Sequence, residues 1–160
     1  MITLIDNALL DQVCAEAAAS PRRRKNRNLH PADDHPAHRL LNAMQPDSYI
    51  PPHRHLDPDK DETFVVLRGL LGLVLFDDAG HIVRCVKVGA GGAALGVDIP
   101  HGTWHTAVAL QADTVFLEAK AGPYLPFSAT ERAPWAPAEN TPEASSYLGM
   151  LQARLAQETI

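Results

Sequence analysis

The chain has 160 residues and a mass of 17.3 kDa, enough for one domain with one core but not for two enzymatic domains and a linker. Hydrophobic residues make up 46%, charged residues 21%, and the formal net charge is −5. This balance argues against a nucleic-acid binder that draws its affinity from Lys and Arg on phosphates, while leaving anionic small molecules open.

Cys14 and Cys85 lie far apart with no CxxC spacing, so they form neither a disulfide framework nor a zinc finger, and they fit a reducing compartment. No stretch reaches the roughly 18 apolar residues of a membrane span. Met1–Asp6 lacks the charged start and apolar run of a signal peptide. The expectation is a cytoplasmic protein that does not engage a membrane.

The elements fall in three stretches of one domain: an N-terminal helix and basic arm over 1–38, a barrel over 39–121, and a proline-rich segment with a closing helix over 122–160. Asp6 can cap a first helix, in which Leu9, Leu10, Val13, Cys14 and Ala17 recur at helical spacing until Ser20-Pro21. Arg22-Arg23-Arg24-Lys25-Asn26-Arg27-Asn28-Leu29-His30 follows without regular periodicity. It reads as a solvated linker or as an arm making phosphate or carboxylate contacts. Pro31 and Pro36 keep the next stretch from being helical.

From Arg39 to Lys120 short apolar runs alternate with turn residues, the texture of a mainly β chain. Strands are expected at Leu40–Met44, Ser48–Pro51, Thr63–Arg68, Leu71–Phe76, Ile82–Val88, Ala94–Ile99, Thr103–Leu110 and Thr114–Lys120, which suits a small jelly-roll barrel. Arg68-Gly69, Asp77–Gly80 and Gln111–Asp113 supply turn chemistry for antiparallel hairpins. Gly89–Gly92 lacks the helix and lysine of a phosphate loop and reads as a bend between sheets. Phe64, Val66, Leu73, Leu75, Val108 and Phe116 are the expected barrel filling. Pro123, Pro126, Pro134 and Pro137 then fix an extended path over the barrel, and Thr141-Pro142-Glu143 opens a closing helix carrying Tyr147, Leu148, Leu151 and Leu155 on one face.

The chemistry concentrates in two places. His53-Arg54-His55 in a strand would turn both imidazoles to one face and Arg54 to the other. Pro100-His101-Gly102-Thr103-Trp104-His105 places another histidine at a strand start, and Glu62 opens a strand that Gly69 ends. Three histidines and a carboxylate converging inside a barrel suit a divalent transition metal.

His-x-His, Glu-x6-Gly and Pro-x-Gly-x-x-His in this order resemble the two motifs of the cupin superfamily. Pro52–His55, Glu62–Gly69, Phe76–Asp78, Ile99-Pro100, Gly102–Thr106, Gly122–Tyr124 and Trp135–Pro137 resemble more closely the WbuC family of cupin-fold metalloproteins. The resemblance spans about Ser20 to Glu139. It implies a cupin barrel with one metal ion held by His53, His55, Glu62 and His105, in a family named from surface-polysaccharide gene clusters. One departure is the six residues Leu56–Asp61 between His55 and Glu62, where cupins usually carry fewer. Glu62 is preferred over Asp57, Asp59 and Asp61 because it keeps its distance to Gly69, and the acidic loop reads as a solvated turn.

Three imidazoles and one carboxylate leave open positions for a bidentate oxygen ligand, and iron, manganese, nickel and zinc all remain candidates. Around this set, Glu118 and His101 are the candidate acid or base residues, with a surface turn the simpler role for His101. Asn28, His30, Lys120 and Tyr124 are candidates for binding a small-molecule substrate, an ordinary salt pair being the alternative for Glu118 and Lys120. Trp104 reads as core.

Three functions stay open. The first is a metal-dependent isomerase or epimerase of a small sugar or sugar-derived acid, the second an iron(II) dioxygenase, and the third a non-catalytic cupin that binds or senses a small molecule. A Lys, Glu or Tyr converging on the metal favours the first. Apolar stripes on both terminal helices, together with the edge strands of an open barrel, lead to an expected homodimer.

Overall fold

In the computed structural model, which describes residues 2–158, the Asp6 side chain accepts a bond from the Leu9 amide at 3.0 Å and starts α1 (Asn7–Ala19). Capping of this kind is worth about 1 kcal/mol. Eight strands follow: β1 (Arg24–Asn28), β2 (Ala37–Met44), β3 (Glu62–Arg68), β4 (Leu70–Phe76), β5 (Ile82–Gly89), β6 (Gly96–Ile99), β7 (Trp104–Ala109) and β8 (Thr114–Ala121). A short 3-10 turn at Ala129–Glu131 precedes α2 (Pro142–Ala156). Pro142 occupies the first turn as expected. The Thr141 hydroxyl turns back to the Ala138 carbonyl at 2.9 Å instead of capping the helix.

Two antiparallel sheets form, one in the order β1-β2-β8-β3-β6 and one in the order β5-β4-β7. They are not closed into a continuous barrel; they face each other as a jelly roll around Met44, Phe64, Val66, Leu71, Leu73, Val88 and Phe116. The mainly β expectation therefore holds, with particular corrections. Arg68-Gly69 and Gln111–Asp113 are not hairpin turns, because the chain crosses from one sheet to the other there; Asp77–Gly80 does close a hairpin, β4 to β5. Gly69, at φ +78°, has the Thr114 hydroxyl 2.5 Å from where a Cβ would stand, so this corner requires glycine.

Ser48–Pro51 joins no strand ladder, since Pro51 and Pro52 offer no donor to one. The basic run is neither linker nor free arm: it contains β1, a charged edge strand of the kind that discourages further pairing. Its arginines are already neutralised, Arg22 and Arg24 by Glu139, Arg23 by Asp47 and Arg27 by Glu16.

Alternation along each strand sorts three cores. Leu41, Ala43 and Val115 face outward and receive Leu10, Val13, Cys14 and Ala17 of α1. Val74, Phe76, Trp104 and Val108 receive Leu148, Leu151 and Leu155 of α2. Val108 thus packs under the helix and not inside the sheets, because His105, Ala107 and Ala109 take the inner face of β7. Both helix stripes are covered by the chain's own sheets, which removes them as the reason to expect a dimer. Leu155 is fully buried and its methyls occupy the space a side chain at Gly72 would need. Leu155→Ala is expected to cost about 2–5 kcal/mol, read from the urea midpoint.

Candidate metal centre

The inner face between the sheets is apolar at one end and polar at the other. On β3, Glu62 shares a face with Phe64 and Val66; on β8, Glu118 and Lys120 share a face with Phe116. Register sets Glu62 opposite Lys120, and Lys120 opposite His38. A single antiparallel bridge joins His53 and His105, whose amides and carbonyls exchange bonds at 3.0 and 2.9 Å. The next turn ties His55 as well, its carbonyl accepting from the Gly102 amide at 2.6 Å. Gly102 is left-handed, at φ +78°. Between the two histidines Arg54 points away, with its guanidinium carbon 4.3 Å from the Trp104 ring centroid.

His53, His55 and Glu62 each bring a ligand atom within 4.8 Å of the others. His105 adds Nε2 at 3.1 Å from Glu62 Oε2, and His55 Nε2 stands 3.0 Å from Glu62 Oε1. Nδ1 of His53 meets the Pro51 carbonyl at 3.0 Å, and Nδ1 of His105 meets the Thr103 carbonyl at 2.9 Å. A carbonyl can only accept, so each of these rings carries a proton on Nδ1 and leaves Nε2 as the atom it offers to a metal.

The Nε2 atoms of His55 and His105 both stand against the Glu62 carboxylate. Among the described residues, four buried side-chain polar atoms lack a hydrogen-bond partner, and three of them are His55 Nε2, Glu62 Oε2 and His105 Nε2. Unpartnered polar atoms this deeply buried are costly. A cation among them would satisfy all three, with the backbone carbonyls orienting the imidazoles from behind. The donor set therefore fits a divalent metal.

Burial holds His53 neutral, pushing it down to about 3. Burial alone would raise Glu62, but His105, His55 and Lys120 together keep its carboxyl well below the usual range. Lys120 Nζ donates to Glu62 Oε1 at 2.9 Å and lies 2.6 Å from Glu118 Oε1, while Asn42 donates to the other Glu118 oxygen at 2.6 Å. Burial pushes the Glu118 carboxyl up, against the pull of Lys120.

The structure gathers most of the sequence candidates. Asn28, His30, Glu118, Lys120 and Tyr124 line one cavity of about 350 Å³ together with His38. His101 is not brought in: its imidazole is exposed and pairs with Asp61 at 2.8 Å. Phe127, which sequence reasoning missed, packs 4.6 Å from the His53 ring and 5.2 Å from that of His55. It separates a 230 Å³ cavity reaching His55 from a 380 Å³ cavity reaching His53. His38 was also missed; it is buried and stacks on His30 with centroids 3.9 Å apart. The only sequence signal for Phe127 is its place in the proline-rich strap expected to cross the barrel.

Residues 5–88, more than half of the chain, match the model of the family described as a domain of unknown function, DUF6016. The chain belongs to the DUF6016 family. No curated protein matches it. Solved structures similar to this DUF6016 chain include KdgF from Halomonas sp., 18% identical, with a TM-score of 0.51 over 67% of this chain and 85% of that one. A cupin superfamily protein from Desulfitobacterium hafniense is 10% identical, with a TM-score of 0.50 over 68% of this chain and 86% of that one. Bacillus subtilis oxalate decarboxylase, which has Mn(II) centres, is 16% identical with a TM-score of 0.50; the match covers 68% of this chain and 27% of that longer chain. These likenesses establish a cupin fold for this DUF6016 member, and its chemistry has to be argued from its own residues.

Proposed function

We propose that the chain is a metal-dependent enzyme acting on a small sugar or sugar-derived acid, moving a proton on the substrate's carbon skeleton as an isomerase or epimerase does. His53, His55, Glu62 and His105 would hold one divalent transition metal ion, with iron, manganese, nickel and zinc as candidates. When bound, the ion supplies Lewis-acid polarisation of a substrate oxygen. The resemblance to the WbuC family supports the carbohydrate assignment by analogy.

The observation that carries this reading is the line Glu62, Lys120, Glu118 and Asn42, with contacts of 2.9, 2.6 and 2.6 Å. A convergent ammonium and a second carboxylate next to the ligand cluster are what proton transfer needs and what a passive binding shell does not. Glu118, raised by burial, is tuned towards accepting a proton. Lys120 holds it in place and offsets one of the two carboxylate charges. Asn28, His30 and Tyr124 line the same cavity and would bind substrate hydroxyls.

The test is proton exchange in D2O. Metal-loaded protein is incubated with aldoses, ketoses and sugar acids, and loss of a carbon-bound proton signal is followed by NMR. Exchange is expected in the wild type, and Glu118→Gln should slow it by about 100-fold or more while retaining metal. Stoichiometric metal with no exchange on any of them, and oxygen uptake instead, would overturn this reading in favour of oxygen chemistry.

A further inference from the structure

The six residues between His55 and Glu62 hold an unexpected feature. Leu56, Asp57, Pro58, Asp59 and Asp61 are exposed, as a solvated turn should be, but Lys60 keeps only 8% of its surface. Its amide bonds the Asp57 carbonyl at 3.0 Å to close the turn. Its side chain runs beneath the proline-rich strap, where Nζ donates to the Pro123 carbonyl at 2.5 Å. Among the described residues that carbonyl is its one acceptor, and no carboxylate pairs with it. A buried ammonium is normally paired, so this one has a charge and two N–H donors to spare.

Where those donors lie gives them a use. Lys60 lines the 230 Å³ cavity whose walls also include His55, Lys120, Tyr124, Phe127 and Glu131. The other charged groups there are held elsewhere and not on Lys60, although Asp57 and Glu131 keep their negative charge on the same wall. Lys120 is shared by Glu62 and Glu118. Glu131 accepts from the Leu56 and Ser128 amides, and Asp57 from the Asp59 amide.

We propose that Lys60 is the counter-charge for a carboxylate of the substrate, one end of which lies at the His55 side of the cavity. This deepens the proposed function and rests on the reading of the cluster as a metal centre. The substrate class is a small hydroxy or oxo acid, sugar acids included, that carries a carboxylate apart from its chelating end. A single unpaired ammonium suits a singly charged carboxylate, whereas a phosphate dianion calls for several charged donors.

Malate and 2-hydroxybutyrate test this. They share a chelating hydroxy-acid end and differ in whether a carboxylate or a methyl group stands at the far end. Titration calorimetry on Mn(II)-loaded wild type is expected to show malate binding at least about tenfold more tightly, the scale of one hydrogen bond to a charged group. Lys60→Met should bring the two ligands to equal affinity with Mn(II) content unchanged, and Lys60→Arg should restore part of the preference. Equal affinities in the wild type would overturn the proposal without any variant. So would a Lys60→Met protein that unfolds at lower urea but still prefers malate, since Lys60 would then only pin the strap. A Lys60-dependent preference that persists without Mn(II) supports Lys60 and removes the metal reading instead.

Discussion

His105→Ala is expected to lose stoichiometric metal and all stabilisation by added metal, while His101→Ala keeps both. His105 is 2% exposed and fixed twice, by its backbone bridge to His53 and by the bond from Nδ1 to the Thr103 carbonyl. No neighbouring side chain can substitute for its Nε2. Loss of an outer partner of a ligand weakens metal binding by about 10–100-fold, so loss of the ligand itself should exceed that range. In the wild type, metal at a hundredfold excess over Kd adds about 2.7 kcal/mol of stability. For a chain of this length that raises Tm by about 5–10 °C. Elemental analysis of tag-free protein and a thermal melt with and without added metal check both parts. Unchanged metal content in His105→Ala would sink the ligand assignment.

The legible parts of the fold were those that local periodicity determines. Thr63–Arg68 and Thr114–Lys120 are short β-prone apolar runs bounded by turn residues, α1 has the Asp6 cap and a helical stripe, and α2 has a first-turn proline and a stripe, so each element could be placed to within a few residues. Pairing was less legible because it is non-local. Arg68-Gly69 has the composition of a hairpin turn, yet Gly69 serves there to clear Thr114 as the chain changes sheets. β1 was hidden for a related reason. Arg24–Asn28 has no apolar alternation, and it is a strand because β2 supplies its ladder while Glu16, Asp47 and Glu139, all remote or on other elements, neutralise its flanks.

The site divides in the same way. The ligand cluster was legible through the cupin-like motifs that His53, His55, Glu62 and His105 resemble, and the structure brings His53, His55 and Glu62 together. The face shared by Glu118 and Lys120 follows from period-2 alternation, but their contact with Glu62 depends on the β3–β8 register, which no local pattern sets. Lys60 and Phe127 were illegible because both depend on where the proline-rich strap crosses. An acidic loop conceals a buried lysine only once Pro123 covers it, and Phe127 becomes the partition between two cavities only once it lies on His53 and His55.

The metal-free protein should lose about 3–5 kcal/mol on Lys120→Met, the range for breaking a buried ion pair by removing one partner. Lys120 retains 19% side-chain exposure, while Glu62 and Glu118 retain 3% and 10%. Methionine keeps the apolar stem but leaves two carboxylates facing each other over the vacated ammonium. Glu118, already raised by burial, would then rise further above its unfolded value. An acid raised by folding binds more protons in the native state, so its cost is full at neutral pH and recedes as pH falls towards the ordinary carboxylate range. The deficit of Lys120→Met should therefore shrink between pH 7 and pH 5. Adding Glu118→Gln should recover about 1–3 kcal/mol, because the pair is in contact and its effects are not additive. Urea unfolding of the four proteins of this cycle at both pH values supplies the measurement. A deficit below about 1 kcal/mol at pH 7, the scale of an exposed pair, would show that Lys120 is not what holds these two carboxylates together beside the ligand cluster.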